Sequence, residues 1–408
     1  MRRCSVTSSR RVLEVTLVFA RLGVTSFGGP IAHLGYLQRE FVDRKRWLTA
    51  SAFADLVALC QFLPGPASSQ AVFAIGLQRA GMAGAIAATL AFLAPSAALM
   101  IALGCGLSPI QSVVGAGWIH GLKLAAVAVV AHAVWSMARR LTPDMPRAAL
   151  ALASSAGVLL LPGAWVQVGV IAFGGLAGWA FLKRSGADPT SPAHADLTTL
   201  SRRTGAACLL AALVLLAALP LAVRAPGAPR LLQEFDAFYR AGSLVFGGGH
   251  VVLPLLREEL VPRHWLSDEQ FLAGYAAAQA VPGPLFSFAG YLGAAMHEWP
   301  RSLTHALLAL TALFLPGDLF LVGALPFWDR LRRRADAQAA LRGANAAVVG
   351  VLLGALIDPL ITGTIHSTLD AAIAAAAFVA LLWRAPAWAI VLPLAIIGQI
   401  GASSFRGG

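Results

Sequence analysis

Four stretches of this chain contain no aspartate, glutamate, lysine or arginine: residues 80–120, 148–182, 204–223 and 385–405. A helix crosses the hydrocarbon core of a bilayer with about 20 apolar residues, each rising about 1.5 Å, and these stretches hold several such lengths. Over all 408 residues the chain is 58% hydrophobic and 12% charged, about half the charged fraction of a soluble domain, which is about 25%. The pattern predicts an all-α polytopic membrane protein. It excludes soluble enzymes and secreted modules. It also excludes a transmembrane barrel, whose strands would alternate apolar and polar residues over segments of about ten.

The few charges are unevenly signed: 31 basic against 19 acidic residues leaves +12. On a soluble protein that balance would point to nucleic acid. Here the basic residues cluster between apolar runs: Arg2, Arg3, Arg10 and Arg11; Arg39, Arg44, Lys45 and Arg46; Arg139, Arg140 and Arg147; residues 183–203; and Arg330, Arg332, Arg333 and Arg334. The main reading is the preference of cationic loops for the cytoplasmic side, with attraction of an anionic substrate as the second; no nucleic-acid partner is expected. The basic N-terminus shows no cleavage site and reads as a cytoplasmic tail. Cys4, Cys60, Cys105 and Cys208 are scattered, with no CxxC pair and no histidine at metal-ligand spacing. They read as small apolar residues, and no metal or cofactor is expected.

The chain repeats itself. Residues 19–66 laid over 238–284, with one residue deleted near Arg46, are identical at 19 of 47 positions. The matches include Arg21 with Arg240, Gly23 with Gly242, Phe27 with Phe246, Glu40 with Glu259, Trp47 with Trp265, Gln61 with Gln279 and two Pro-Gly-Pro triplets. One match is Ala with Ala and three are Leu with Leu, so shared composition is not the source. Further on, Pro95 corresponds to Pro316, and the run from Gly121 to the run from Gly343, which sets Lys123 against Asn345. A tandem duplication predicts a first repeat at 1–182, a polar linker with one extra transmembrane helix at 183–230, and a second repeat at 231–408. Hydrophobic segments fall at 12–29, 50–78, 81–107, 110–138, 148–163 and 164–182, then 205–223, then 231–249, 268–295, 302–328, 343–362, 367–383 and 386–402. Six, one and six make about thirteen. An even number per repeat plus one extra helix would invert the second repeat, as in many secondary transporters. The charge rule does not assign the orientation, because the loops at 139–147 and 330–334 are both basic.

Two motifs interrupt the first apolar segments of each repeat. One is Phe27-Gly28-Gly29-Pro30 with His33, answered by Phe246-Gly247-Gly248-Gly249-His250. The other is Gln61, Pro64-Gly65-Pro66 and Ser69, answered by Gln279, Pro282-Gly283-Pro284 and Ser287. Proline removes a donor and clashes with the preceding turn, and glycine permits the angles that end a helix. Each Pro-Gly-Pro should therefore divide its segment into two half-helices. A helix restarting at membrane depth presents free N–H groups and a partial positive charge suited to an anion, and matched interruptions in two repeats point to a transport site. Proline kinks or glycine packing contacts are the plainer alternative.

Arg21 and Arg240 stand in apolar segments just before the glycines, where an arginine costs at least about 2.5 kcal/mol at a helix centre. They can hold an oxyanion through forked donors, pair with Glu14 or Asp236, or reach the interface along their stems. Lys123 is a further cation, for substrate or for a structural ion pair. His33 and His250 read as packed hydrogen-bonding residues or as a proton relay. Glu40 and Glu259, with Trp47 and Trp265, are expected in a polar loop after the first segment. There the tryptophans would anchor at the interface and the glutamates would pair with Arg39, Arg44 or Arg263, or serve gating or proton coupling. No GxxxxGK[ST] phosphate loop and no HExxH zinc helix occur, so neither an ATP-driven pump nor a metalloprotease is indicated. An intramembrane enzyme would have to combine Ser69 and Ser287 with His33 and His250 outside any recognised motif, and a scaffold would have little need of matched breaks.

In their order and content these motifs resemble the chromate ion transporter family of bacterial inner-membrane proteins, in its long two-domain form. The residues carrying the resemblance run from Phe27 to His33, from Gln61 to Gln70 after Trp47, from Phe246 to Pro254 and from Ala278 to Ser287. The resemblance covers nearly the whole chain. It implies a multi-pass secondary transporter of the inner membrane that exports chromate and confers resistance, with sulfate as a structurally similar competitor. It also implies about thirteen spans in halves of opposite orientation. The expected partners are chromate, sulfate as an alternative oxyanion, and the lipid bilayer, with assembly as a homodimer left open; an importer or exchanger of sulfate or another oxyanion is the alternative function.

Overall fold

A computed structural model describes residues 2–27, 29–114, 117–161, 164–182, 200–246, 249–331, 334–383 and 385–405. Every regular element among them is helical, as a lipid environment requires of a chain that must satisfy its own backbone. The first half holds α1 (Arg2–Thr25), α2 (Gly29–Gln38), α3 (Ala50–Phe62), α4 (Ala67–Val114), α5 (Gly117–Leu141), α6 (Met145–Leu160) and α7 (Ala164–Phe181). Helix α8 (Arg202–Ala222) follows the linker. The second half holds α9 (Arg230–Ser243), α10 (Val252–Leu260), α11 (Asp268–Ala280), α12 (Phe288–Ala295), α13 (Arg301–Ala324), α14 (Trp328–Leu331), α15 (Ala335–Ala355), α16 (Thr368–Leu382) and α17 (Trp388–Phe405). Polar residues set several starts. Thr49, Asp144 and Ser201 cap α3, α6 and α8, and Ser267 with Gln270 and Ser367 with Asp370 form capping boxes on α11 and α16, satisfying first-turn amides that have no partner within the helix. Hydrogen bonds from Arg147 hold the Asp144 carboxyl below the usual carboxylate range.

Among the described residues five helices are long and apolar enough to cross a membrane: Ala67–Gly106, Gly117–Leu141, Arg202–Ala222, Arg301–Phe327 and Ala335–Asp358. Six more are apolar but shorter, and two of these, Ala50–Phe62 and Leu285–Ala295, are short because the segments at 50–78 and 268–295 are each divided. The first stops at Phe62 and restarts at Ala67, and the second stops at Ala280 and restarts through a 3-10 turn, Leu285–Ser287. Helix α4 is itself two limbs, with non-helical backbone at Ala80 and Gly81. The linker residues 183–199 lie outside the described residues.

Equivalent helices make equivalent contacts. Helix α1 packs on α4, and α9 packs on α13. The last helices are exchanged, α7 lying on α15 of the second half and α17 on α5 of the first. Both crossings are glycine contacts: Gly178 against Gly343, and Gly398 against Gly121. Backbones approach so closely there that a Cβ on Gly121 would lie 1.9 Å from the Leu394 carbonyl oxygen. Small residues at a crossing replace the hydrophobic drive that lipid cannot supply.

Alanine at Gly121 therefore carries a clash larger than its gain of about 1 kcal/mol in helix propensity. Gly121→Ala should lose about 1–3 kcal/mol of stability and melt at a lower temperature in detergent. Gly169→Ala, on α7 with open space around its Cβ, should melt with or above the parent.

Candidate functional site

The two Pro-Gly-Pro breaks meet the ends of the opposite half's first helix. Gly65 N–H donates to the Val245 carbonyl at 2.7 Å, and Gly283 N–H donates to the Ser26 carbonyl at 2.9 Å. Ser26 and Val245 are equivalent positions, just past the ends of α1 and α9, so each half supplies the acceptor for the other's break. Gly65 and Gly283 have φ of +122° and +100°, a region open to glycine and costly for other residues. Space is equally restrictive. A Cβ on Gly65 would lie 2.9 Å from the Gly317 Cα, and one on Gly283 would lie 2.8 Å from the Ser96 Oγ. Those contacts follow the equivalent prolines Pro95 and Pro316, so each break docks on the long helix of the other half. Gln70 secures the first: its Nε2 donates to the carbonyls of Pro64 and Gly317, both at 2.9 Å.

Polar groups without protein partners surround this junction. Ser69, one turn after Pro66, is buried and its Oγ has no hydrogen-bond partner among the described residues; the Gln279 Nε2 before Pro282 is likewise buried and unpartnered among them. Both are donors, and a buried donor without an acceptor costs about 1–3 kcal/mol. The amides of residues 67–69 open α4 and have no acceptor within the helix, because Gln70 is the first whose N–H reaches back, to Pro66. The halves differ elsewhere. Gln61 is exposed, whereas Ser287 is buried, its N–H bonded to the Pro284 carbonyl. His33, on α2, is buried with Nε2 3.1 Å from the Ser26 carbonyl. A carbonyl only accepts, so Nε2 carries the proton and Nδ1 is left an acceptor without a partner. His250 instead pairs its Nδ1 with the Tyr275 hydroxyl at 2.7 Å. Gly29 begins α2 with φ of +75°. Gly28, Gly247 and Gly248 lie outside the described residues.

The arginines are paired with the matched glutamates. Arg21 Nη2 lies 2.7 Å from Glu40 Oε2, and Arg240 Nη1 lies 2.6 Å from Glu259 Oε1. Arg44 and Arg263 add a second cation to the same glutamates, at 3.3 and 3.0 Å. Burial separates the copies: the Arg21 side chain is 47% exposed and that of Arg240 only 7%. Arg240 also binds Asp236, whose aligned position in the first half is Leu17. The expected polar loop is a helix in both halves. Glu40 sits in a π-helical turn (Arg39–Arg44) continuing α2, and Glu259 sits in α10; both are buried. Apolar residues interleaved with the charges give these segments a face that packs inward, and the glutamates stand on it. Arg21, Glu40, Arg44 and Lys45 line an open groove of about 450 Å³ with Leu17 and Val18. Trp47 stacks under Lys45 and Arg79, and Trp265 under Arg230 and Arg263. Half-buried Lys123 on α5 forms no ion pair among the described residues, and the Oδ1 of its counterpart Asn345 is buried without a partner.

Two features escaped the sequence reading. Asp318, the one acidic residue of α13, follows the Gly317 that contacts the first break and forms no ion pair among the described residues. It aligns with Ala97, so no matched position marks it, although a carboxylate in an apolar span is a signal in itself. The second is a cluster of Glu234, His297 and His305, whose sequence spacing fits no ligand pattern.

Because Arg240 is buried between two carboxylates, Arg240→Gln should cost about 3–5 kcal/mol and lower the melting temperature in detergent sharply. Arg21→Gln, removing a half-exposed arginine from a glutamate that keeps Arg44, should cost less, about 1 kcal/mol.

The chromate transporter family pattern matches the chain twice, over residues 13–179 and 232–400. A chromate transport protein of Pseudomonas aeruginosa is 32% identical over 345 residues, covering 82% of this chain and 77% of its own length. One from Cupriavidus metallidurans is 28% identical over 359 residues, covering 83% and 80%. An uncharacterised transporter of Methanocaldococcus jannaschii is 24% identical over 354 residues, covering 84% and 82%. No solved structure matches the fold. With both halves matched and these relatives aligned along most of its length, the chain belongs to the chromate transporter family.

Proposed function

We propose that this protein is a secondary active transporter that exports chromate across a bacterial inner membrane, binding the oxyanion between its halves at the paired helix breaks. The observation that carries this reading is the junction itself: two breaks, each completed by the other half, beside buried donors at Ser69 and Gln279 that have no acceptor among the described residues. A tetrahedral dianion offers acceptors in several directions, and the free amides opening α4 add partial positive charge on the same side. Lys123, without an ion-pair partner among the described residues, is the cation best placed by its chemistry to balance the substrate. The repeats at 1–182 and 231–408, with the linker and α8 between them, are taken as inverted copies that rock about this junction. The pairs Arg21–Glu40 and Arg240–Glu259 act as latches at their ends.

Energetics favour export. Moving one charge through 100 mV is worth about 2.3 kcal/mol, so a dianion leaving a negative interior gains about twice that without ATP. The names of the relatives support chromate as the cargo, and sulfate shares its shape and charge.

Everted vesicles containing the protein should accumulate labelled chromate. Ser69→Ala and Gln279→Leu should each reduce initial uptake about tenfold, equivalent to about 1.4 kcal/mol, while gel-filtration profiles stay unchanged. Equal uptake by vesicles lacking the protein would sink the transport reading, and uptake of sulfate without chromate would replace the cargo.

A further inference from the structure

Helices α9 and α13 run parallel and in register: Gly242 meets the Leu313 carbonyl, and eight residues earlier on both helices Glu234 meets His305. At that end His305 Nδ1 lies 2.5 Å from Glu234 Oε2, and His297 Nε2, from the turn before α13, lies 2.8 Å from Oε1. The Glu234 side chain is fully buried, and those of His297 and His305 are 18% and 10% exposed. The two imidazoles stack with centroids 3.5 Å apart. Two imidazoles and a carboxylate, with all three ligand atoms within 4.8 Å of one another, match the donor set of a divalent transition metal.

We propose that Glu234, His297 and His305 form a binding site for Zn²⁺ or a closely related divalent first-row metal, distinct from the oxyanion path. Imidazole and carboxylate without thiolate suit zinc, nickel, cobalt or copper and do not suit calcium or magnesium. Donors around a tetrahedral zinc stand about 3.3 Å apart, so an ion would move His305 Nδ1 and Glu234 Oε2 apart from their 2.5 Å contact by about 1 Å. Arg230 Nε lies 2.6 Å from Glu234 Oε1. It competes for that oxygen, so the ion takes Oε2 and the arginine orients the carboxylate from outside. Three protein ligands leave the fourth position to water, which makes the ion exchangeable. In the first half the corresponding corner is closed by permanent cations, Arg79 and Lys45 on Glu14; His297 occupies the position aligned with Arg79. A bound ion would tie α9 to the turn before α13 and so restrain the helix that leads to Val245 at the junction, giving metal concentration a means of adjusting transport.

The test uses full-length protein without a histidine tag, stripped with a chelator in detergent and titrated with Co²⁺. One equivalent per chain should bind with the visible absorption of a tetrahedral N/O site, and Zn²⁺ should displace it. His297→Gln and His305→Gln should each weaken binding about tenfold or more, beyond the usual minimum for losing a group outside the ligand sphere. His297 is at the edge of the cluster, so its variant keeps the test valid if Glu234→Gln or His305→Gln fails to fold. Absence of a saturable one-to-one phase, or binding unchanged in a folded histidine variant, overturns the site. Chromate uptake does not enter this readout, so the outcome is independent of the proposed cargo.

Discussion

The structure depends on a backbone constraint. A proline-glycine-proline break in a lipid-immersed segment strands amides and carbonyls that water would satisfy elsewhere, and each stranded group costs several kcal/mol in hydrocarbon. The chain meets that cost by exchange. The Gly65 amide takes the Val245 carbonyl, and the Gly283 amide takes the Ser26 carbonyl. Neither half can complete its own break in this way. The glycines cannot be replaced because their φ is positive, and the facing helices come close enough to exclude a Cβ. Close approach at the junction therefore holds this irregular backbone inside protein.

Around that shared frame the halves have diverged in polarity. The same arginine–glutamate pair is open to a groove in the first half and buried in the second, where Asp236 supplies a further carboxylate. Gln61 is exposed while Gln279 is drawn inward, and Lys123 faces the role that Asn345 fills in the other copy. Identical residues at aligned positions thus have different electrostatic surroundings.

Much of the architecture was legible in the residues. Charge exclusion marked the helices, and the internal identity placed the breaks and their partners in the alignment. The resemblance carried by Phe27 to His33 and Ala278 to Ser287 pointed to the family that the comparisons then showed. The glutamates were less legible. Their charged neighbours suggest a loop, but helical spacing turns Glu40 and Glu259 inward, where Arg21 and Arg240 neutralise them. Asp318 and the Glu234–His297–His305 cluster were not legible from repeat matching, because each belongs to one half alone.

By itself, the sequence determined that this chain is a bundle of apolar helices built from a duplication, and where those helices must stop. Local chemistry is sufficient for that: an apolar run enters the bilayer, and proline lacks the N–H that would continue a helix. Only the tertiary structure decided which carbonyl receives each stranded amide, which carboxylate meets each arginine, and that two histidines converge on Glu234. Those partners lie on other helices. Their identity depends on the register and closeness of helix crossings, which no local pattern encodes.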